Sequence, residues 1–215
     1  RLSVQKGSRF AIEGQNLNLN DIKSYVKDGT WFVEDTRNMR SRFFGIEANT
    51  DYNSWIRIYI PDDFNGKRIN ISLGAGTIDI EEISGDKVTL DVGAGKIQAD
   101  KLTAGKEADF TVGAGKIKVD SIEASNADFD CGMGDITVNG VLTGDSEIEC
   151  GLGQITLDLD GKEDDYNYFI DSDVGSVIIN DEKYNFNSET KKLNKNAKGG
   201  FDIECGVGNV TIKVN

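Results

Sequence analysis

Nine acidic side chains stand at two fixed places ahead of a recurring glycine position. Asp91, Asp130, Glu149, Asp171 and Glu204 lie two residues before it, and Asp109, Asp128, Glu147 and Asp202 lie four before it. Carboxylates gathered in this way can share a proton as a general acid and base, hold a divalent cation, or attract a cationic ligand. Asp130, Glu149 and Asp171 are the candidate cation ligands, and no other cofactor is implied. Asp91, Asp109, Asp128, Asp130, Glu147 and Glu149 form the candidate binding face. The plainer reading is a solvated surface that keeps a repetitive protein soluble.

Other chemistry is more restricted. The chain contains no histidine, which excludes every mechanism that uses imidazole as base or metal ligand. Its last arginine is Arg68, so only lysines such as Lys96, Lys116 and Lys118 remain as bases beyond that point, and they read as ordinary outward residues. No unique polar constellation interrupts the pattern, so no catalytic residue is assigned and an enzyme is not expected. A polysaccharide-active enzyme is the alternative. Gly-Ala-Gly-Lys at 93–96 and 113–116 lacks the spacing and following helix of a phosphate-binding loop. The calcium-binding nonapeptide of other β-rolls needs an aspartate where this chain has Ile78, Ile97, Ile117, Ile136 and Ile155. Cys131, Cys150 and Cys205 occupy one equivalent place, form no C-x-x-C pair, and read as small buried hydrophobes.

The elements that must position these residues are repeats. The chain reads ISLGAGTIDI from Ile71, LDVGAGKIQA from Leu90, FTVGAGKIKV from Phe110, FDCGMGDITV from Phe129 and IECGLGQITL from Ile148. A sixth copy, IDSDVGSVII from Ile170, has Asp173 for the first glycine, and a seventh, IECGVGNVTI, starts at Ile203. The turn glycines are Gly74 and Gly76, Gly93 and Gly95, Gly113 and Gly115, Gly132 and Gly134, Gly151 and Gly153, and Gly206 and Gly208. Apolar residues alternate on both sides of each G-x-G, the period of a strand with one buried face. Units this short cannot close a core alone and must stack. The expected fold is all-β, a single-stranded parallel β-helix, or β-solenoid, with roughly 19–20 residues per coil. In chain order, Ile71, Leu90, Phe110, Phe129, Ile148, Ile170 and Ile203 form one inner ladder, and Ile78, Ile97, Ile117, Ile136, Ile155, Val177 and Val210 the next. Glycine at the turn is expected to supply positive φ and close approach of coils, so a bulkier residue there should be poorly tolerated.

One domain is expected over 1–215. Residues 1–66 form an irregular β cap, with the strand-like phrases RFAIEG, WFVED and WIRIYIP and turns at Asp28-Gly29 and Asn65-Gly66. Regular coils follow over 67–160 and irregular ones over 161–215. The stretch 180–200, containing Lys191, Lys192, Lys195 and Lys198, reads as a protruding loop. The last strand, 207–214, offers an edge for end-to-end self-association. With 37 acidic against 24 basic residues and a net charge of −13, the surface repels phosphate backbones, so nucleic acid is not an expected partner. The chain opens on Arg1 rather than Met, and any leader or membrane anchor is expected upstream of it.

The repeated [I/F]-x-[V/L/C]-G-x-G-x-I-x-[V/I/L] copies, with Asp28-Gly29-Thr30-Trp31 and the I-x-I-x-I-P phrase from Ile56 to Pro61, resemble a bacterial adhesin-like family of β-solenoid proteins without assigned function. The resemblance covers essentially the whole chain and is strongest over 56–157. It implies a β-helix outwardly similar to pectin-lyase-like folds but without catalytic residues, at the bacterial surface or envelope, acting in adhesion, with some relatives tied to envelope-stress sensing. The implied partner is an extracellular glycan or protein. The family carries no functional motif to transfer residue by residue.

Overall fold

The computed structural model describes the backbone of residues 1–17, 21–36, 54–185 and 188–215, and their side chains except at 185–192. Of the expected cap, 18–20 and 37–53 lie outside the described residues. The chain is all-β, with a large, mostly parallel sheet and a short 3-10 turn at Glu163–Asp165.

Alternation places every second side chain inside, and register places like over like. In Ala127–Cys131, Phe129 faces Phe110 of one neighbouring layer and Ile148 of the other. Beyond the glycines, Ile136 of Asp135–Leu142 lies between Ile117 and Ile155. A third stretch aligns Ile83, Leu102 and Ile122. These residues are buried in one continuous core. Two aromatic stacks lie within it: Phe110 on Phe129, with centroids 5.1 Å apart, and Tyr168 on Phe201, at 5.8 Å. Tyr166 brings its hydroxyl inside and donates it to the Leu142 carbonyl at 2.7 Å, which satisfies a group that burial would otherwise penalise.

The layers do not follow chain order. Asp145–Cys150 of the fifth repeat pairs with Gly199–Cys205, and that strand pairs with Tyr166–Ser172. Likewise Asn209–Val214 lies between Gln154–Leu159 and Ser176–Ile179. The seventh repeat is therefore slotted between the fifth and the sixth. Its intact G-x-G suits an interior layer, whereas the sixth, with Asp173 in place of glycine, takes the terminal position. This corrects the inner ladder expected in chain order. It also corrects the reading of 207–214 as an open edge, because the final strand is paired on both sides.

Among the described residues of 180–200, 182–185 and 188–192 are paired strands rather than parts of the expected protruding loop. Glu182–Asn185 pairs antiparallel with Ser176–Ile179, and Ser188–Lys192 pairs antiparallel with Tyr166–Ser172, so both strands close the sixth layer's edges. At the opposite end Leu2–Gly7 lies parallel between Ile78–Ile80 and Trp55–Pro61, and Ala11–Gln15 runs antiparallel outside it. Antiparallel closure blunts the ladder against further pairing. The expected Asp28-Gly29 turn is present, with both residues at positive φ in the hairpin Ile22–Lys27/Thr30–Asp35.

The turn glycines are required for a narrower reason than expected. Of the twelve, Gly76 has positive φ and the others do not. What they provide is close approach. A Cβ on Gly153 would meet Cys131 Sγ at 2.5 Å as well as the Gly134 carbonyl, and one on Gly134 would run into the Gly115 carbonyl and Val112. Gly74, in the first repeat, has nothing within 4 Å of such a Cβ, so the expected intolerance does not extend to it. Gly134→Ala should cost about 2–4 kcal/mol of unfolding free energy, and Gly74→Ala about 0.5 kcal/mol or less, measured by urea unfolding. Equal costs at the two positions would contradict the close-approach account.

Candidate functional site

The outward positions of the pre-glycine strands form two neighbouring columns. Register sets Asp109, Asp128, Glu147 and Asp202 over one another in consecutive layers. The second column runs Asp130, Glu149, Glu204, Asp171. Asp91 stands apart from it, because Thr111 occupies the intervening layer. Eight of the nine carboxylates singled out from the sequence are thus brought into one array, with neighbours about 4.8 Å apart along each column.

The array is strained electrostatically. Asp128 titrates above its ordinary 3.8, first because burial disfavours its charge and then because Asp109, Glu107 and Glu147 repel it. Glu149 rises above 4.5 from partial desolvation and from Asp130, Glu147 and Glu204. Like charges directly opposite on adjacent strands destabilise a sheet. Among the described residues, none of Asp130, Glu149, Glu204 and Asp171 makes an ion pair. These four, with Asp173, the three cysteines and first glycines of the turns, line an open groove of about 380 Å³.

The proposed cation ligands do not converge. Glu204 intervenes between Glu149 and Asp171 in the stack. The acids that do converge are Glu107, Asp109 and Asp128, whose oxygens lie within 4.8 Å of one another. Lys87 already brings a cation there, with Nζ 2.9 Å from both Glu107 and Asp109. Those contacts, Asp109 first and Glu107 second, raise the lysine's pKa and hold it as an ammonium. Reasoning from the glycine motif missed this cluster because Lys87 and Glu107 sit six residues before the first glycine, one outward step beyond the two columns. The lysines considered as bases are also engaged: Lys118 pairs with Asp120 at 2.5 Å, Lys116 with Asp135 at 3.7 Å, and Lys96 bonds Gln98 at 2.9 Å.

The cysteines stack as expected, Cys131 on Cys150 on Cys205. All three are buried. Each thiol donates back across its turn to the carbonyl three residues on: Gly134 at 3.1 Å, Gly153 at 3.4 Å and Gly208 at 3.3 Å. Cys150, flanked by the Cys131 and Cys205 thiols and buried, has its pKa pushed well up and stays a thiol. A second hollow, about 490 Å³, lies on the post-glycine face near the N-terminal end. There Arg1 pairs with Asp79 at 2.7 Å, and Arg57 lies over the Trp55 ring at 4.8 Å. The repeat pattern does not mark this hollow, because part of its wall comes from residues 1–5 and 55–57, which precede the first copy.

A family model described as Toastrack DUF4097 matches residues 8–192. No curated protein matches the chain. The crystal structure of a "putative cell adhesion protein" from Clostridium sporogenes ATCC 15579 is similar over 100% of this chain and 87% of that one, at 16% identity and a TM-score of 0.32. That likeness is too slight to carry fold or function across.

The carboxylate array has a measurable consequence. Asp128 and Glu149 bind protons more tightly folded than unfolded, so the stability they contribute is full below the unfolded carboxylate range and is lost as pH rises through their folded pKa. Glu149→Gln should therefore raise Tm at pH 7 by about 2 °C. The gain should shrink in high salt and close below about pH 4. Calorimetry showing no gain at pH 7 would mean that the array is not repulsive.

Proposed function

The chain belongs to the Toastrack DUF4097 family, and on that premise we propose that it is a non-catalytic binding module of the bacterial surface. In this reading its stacked coils form a single-stranded β-solenoid that presents a rigid acidic face to a cationic group on a glycan or protein. The observation that carries the proposal is the pair of four-acid columns, Asp109–Asp128–Glu147–Asp202 and Asp130–Glu149–Glu204–Asp171, held in register by strand pairing. Fixed charges at regular spacing give weak contacts that sum along the face. Preorganisation lowers the entropy lost on binding.

One observation favours a second reading, a polysaccharide-active enzyme: Lys87 stands among Glu107, Asp109 and Asp128. A lyase needs a neutral base near the proton it removes. The same carboxylates make Lys87 a poorer base by raising its pKa, which is why the binding reading is preferred. Among the described residues, no helix is long and apolar enough to cross a membrane.

Beads coated with the chain should adhere to bacterial envelopes and be released by raised salt. A variant with all eight acids changed to Asn or Gln should adhere at background level. Acidic polysaccharides incubated with the chain should yield neither ultraviolet-absorbing unsaturated ends nor new reducing ends. Adhesion that survives neutralisation would overturn the acidic-face reading, and product formation would establish the enzyme.

A further inference from the structure

The residue just before the second glycine points outward at every turn, and its chemistry changes partway along the stack. In the first three layers it is Ala75, Ala94 and Ala114. In the next four, in stack order, it is Met133, Leu152, Val207 and Val174, exposed by 66%, 62%, 57% and 64%. Folding does not require these larger side chains, because alanine serves the same turn in the first three layers. Nor are they free to fold away. The backbone beneath them is clamped layer to layer: Met133 donates its amide to Gly113 at 2.7 Å, Leu152 to Gly132 at 2.7 Å, Val207 to Gly151 at 2.8 Å, and Val174 to Gly206 at 2.9 Å. The result is a fixed apolar ridge along one corner.

The ridge runs beside the unbroken acid column. The four layers with large apolar tips are the four that carry Asp130, Glu149, Glu204 and Asp171, and the groove lies along these turns. The corner's other flank, Asp135, Gln154, Asn209 and Ser176, adds no basic side chain. Acids alone would serve solubility, and an isolated exposed apolar residue needs no explanation. A continuous apolar ridge paired with a continuous acidic ladder has a complement with both characters.

Resting on the binding-module reading, we infer that this corner docks a basic amphipathic helix of another protein. Its apolar residues lie on the Met133–Leu152–Val207–Val174 ridge, and its Lys or Arg side chains reach Asp130, Glu149, Glu204 and Asp171. Charge complementarity selects a basic partner and disfavours an anionic membrane surface. Pitch fits a helix laid along the corner, since one turn rises about 5.4 Å against about 4.8 Å per layer, a drift of only about 2 Å over four layers. Apolar anchors at i, i+4, i+7 and i+11 then meet successive tips.

The test uses the full chain and a synthetic 18-residue Leu/Lys amphipathic helix, read by fluorescence anisotropy. Controls are a scrambled peptide of equal composition, a Leu/Glu analogue, oligolysine and phosphatidylcholine vesicles. The amphipathic peptide should bind, and Met133→Ser/Leu152→Ser and Glu149→Gln/Glu204→Gln should each weaken it about tenfold or more. All four positions are solvent-exposed, and unchanged thermal unfolding of the Ser pair checks its fold. Oligolysine should respond only to the Gln pair, and the other controls should not bind. No binding of the amphipathic peptide, an unaltered affinity in the Ser pair, or capture by the vesicles would overturn the inference. Bead adhesion separates the two claims: if peptide docking is refuted while adhesion is still lost on neutralising the eight acids, only the helix proposal fails.

Discussion

Every column on this protein depends on one strand's backbone lying directly over its equivalent in the next layer, close enough at the second glycine of every turn after the first to exclude a Cβ. Gly115, Gly134, Gly153 and Gly208 each lie against the carbonyl of the corresponding glycine in a neighbouring layer. Turn amides meanwhile donate across layers at 2.7–3.1 Å. This contact fixes register at the corner, and register fixes the rest. A slip of one residue would send the Ile78–Ile97–Ile117–Ile136 ladder outward and the carboxylates inward. The close approach therefore selects the core and the acidic face together.

Charge is distributed unevenly over that frame. In the early layers the acids meet lysines: Lys101 reaches Glu82 at 3.4 Å, Lys106 reaches Asp86 at 2.8 Å, and Lys87 is shared by Glu107 and Asp109. Such pairs are exposed or half-exposed and each contributes little to stability. They do leave those layers nearly balanced. In the later layers the column Asp130–Glu149–Glu204–Asp171 has no such compensation among the described residues, and the apolar tips appear in the same place. One regular scaffold thus carries two surfaces: a balanced one, and one whose charge and exposed apolar area call for a partner.

The seven repeat copies, six of them with an intact G-x-G, made the strands, the two inner ladders, the buried cysteine column and most of the acid array legible, because in a stack of parallel layers sequence period becomes spatial neighbourhood. Layer order was not legible where the period breaks. Ile203 lies over Ile148 although Ile170 comes between them in the chain, and only the fit of an intact G-x-G between two layers, against Asp173 at the end, distinguishes the two arrangements. The stretch 180–200 reads as loop because its strands, 182–185 and 188–192, pair as antiparallel edge closure, which leaves no repeat signature. The Lys87 cluster was missed for a related reason. It depends on a lysine and an acid opposite each other in one pair of layers, at a position the motif does not mark.

The most direct test of the stacked array is a carbon-detected NMR titration of the Glu149 carboxyl in the native chain and in Glu204→Gln. The two residues are far apart in sequence and become neighbours only through insertion of the last repeat. Glu149 should titrate above its ordinary value in the native chain and move back toward it once Glu204 is neutral. An ordinary native pKa, or one that ignores Glu204, would contradict both the layer order and the carboxylate array that rests on it.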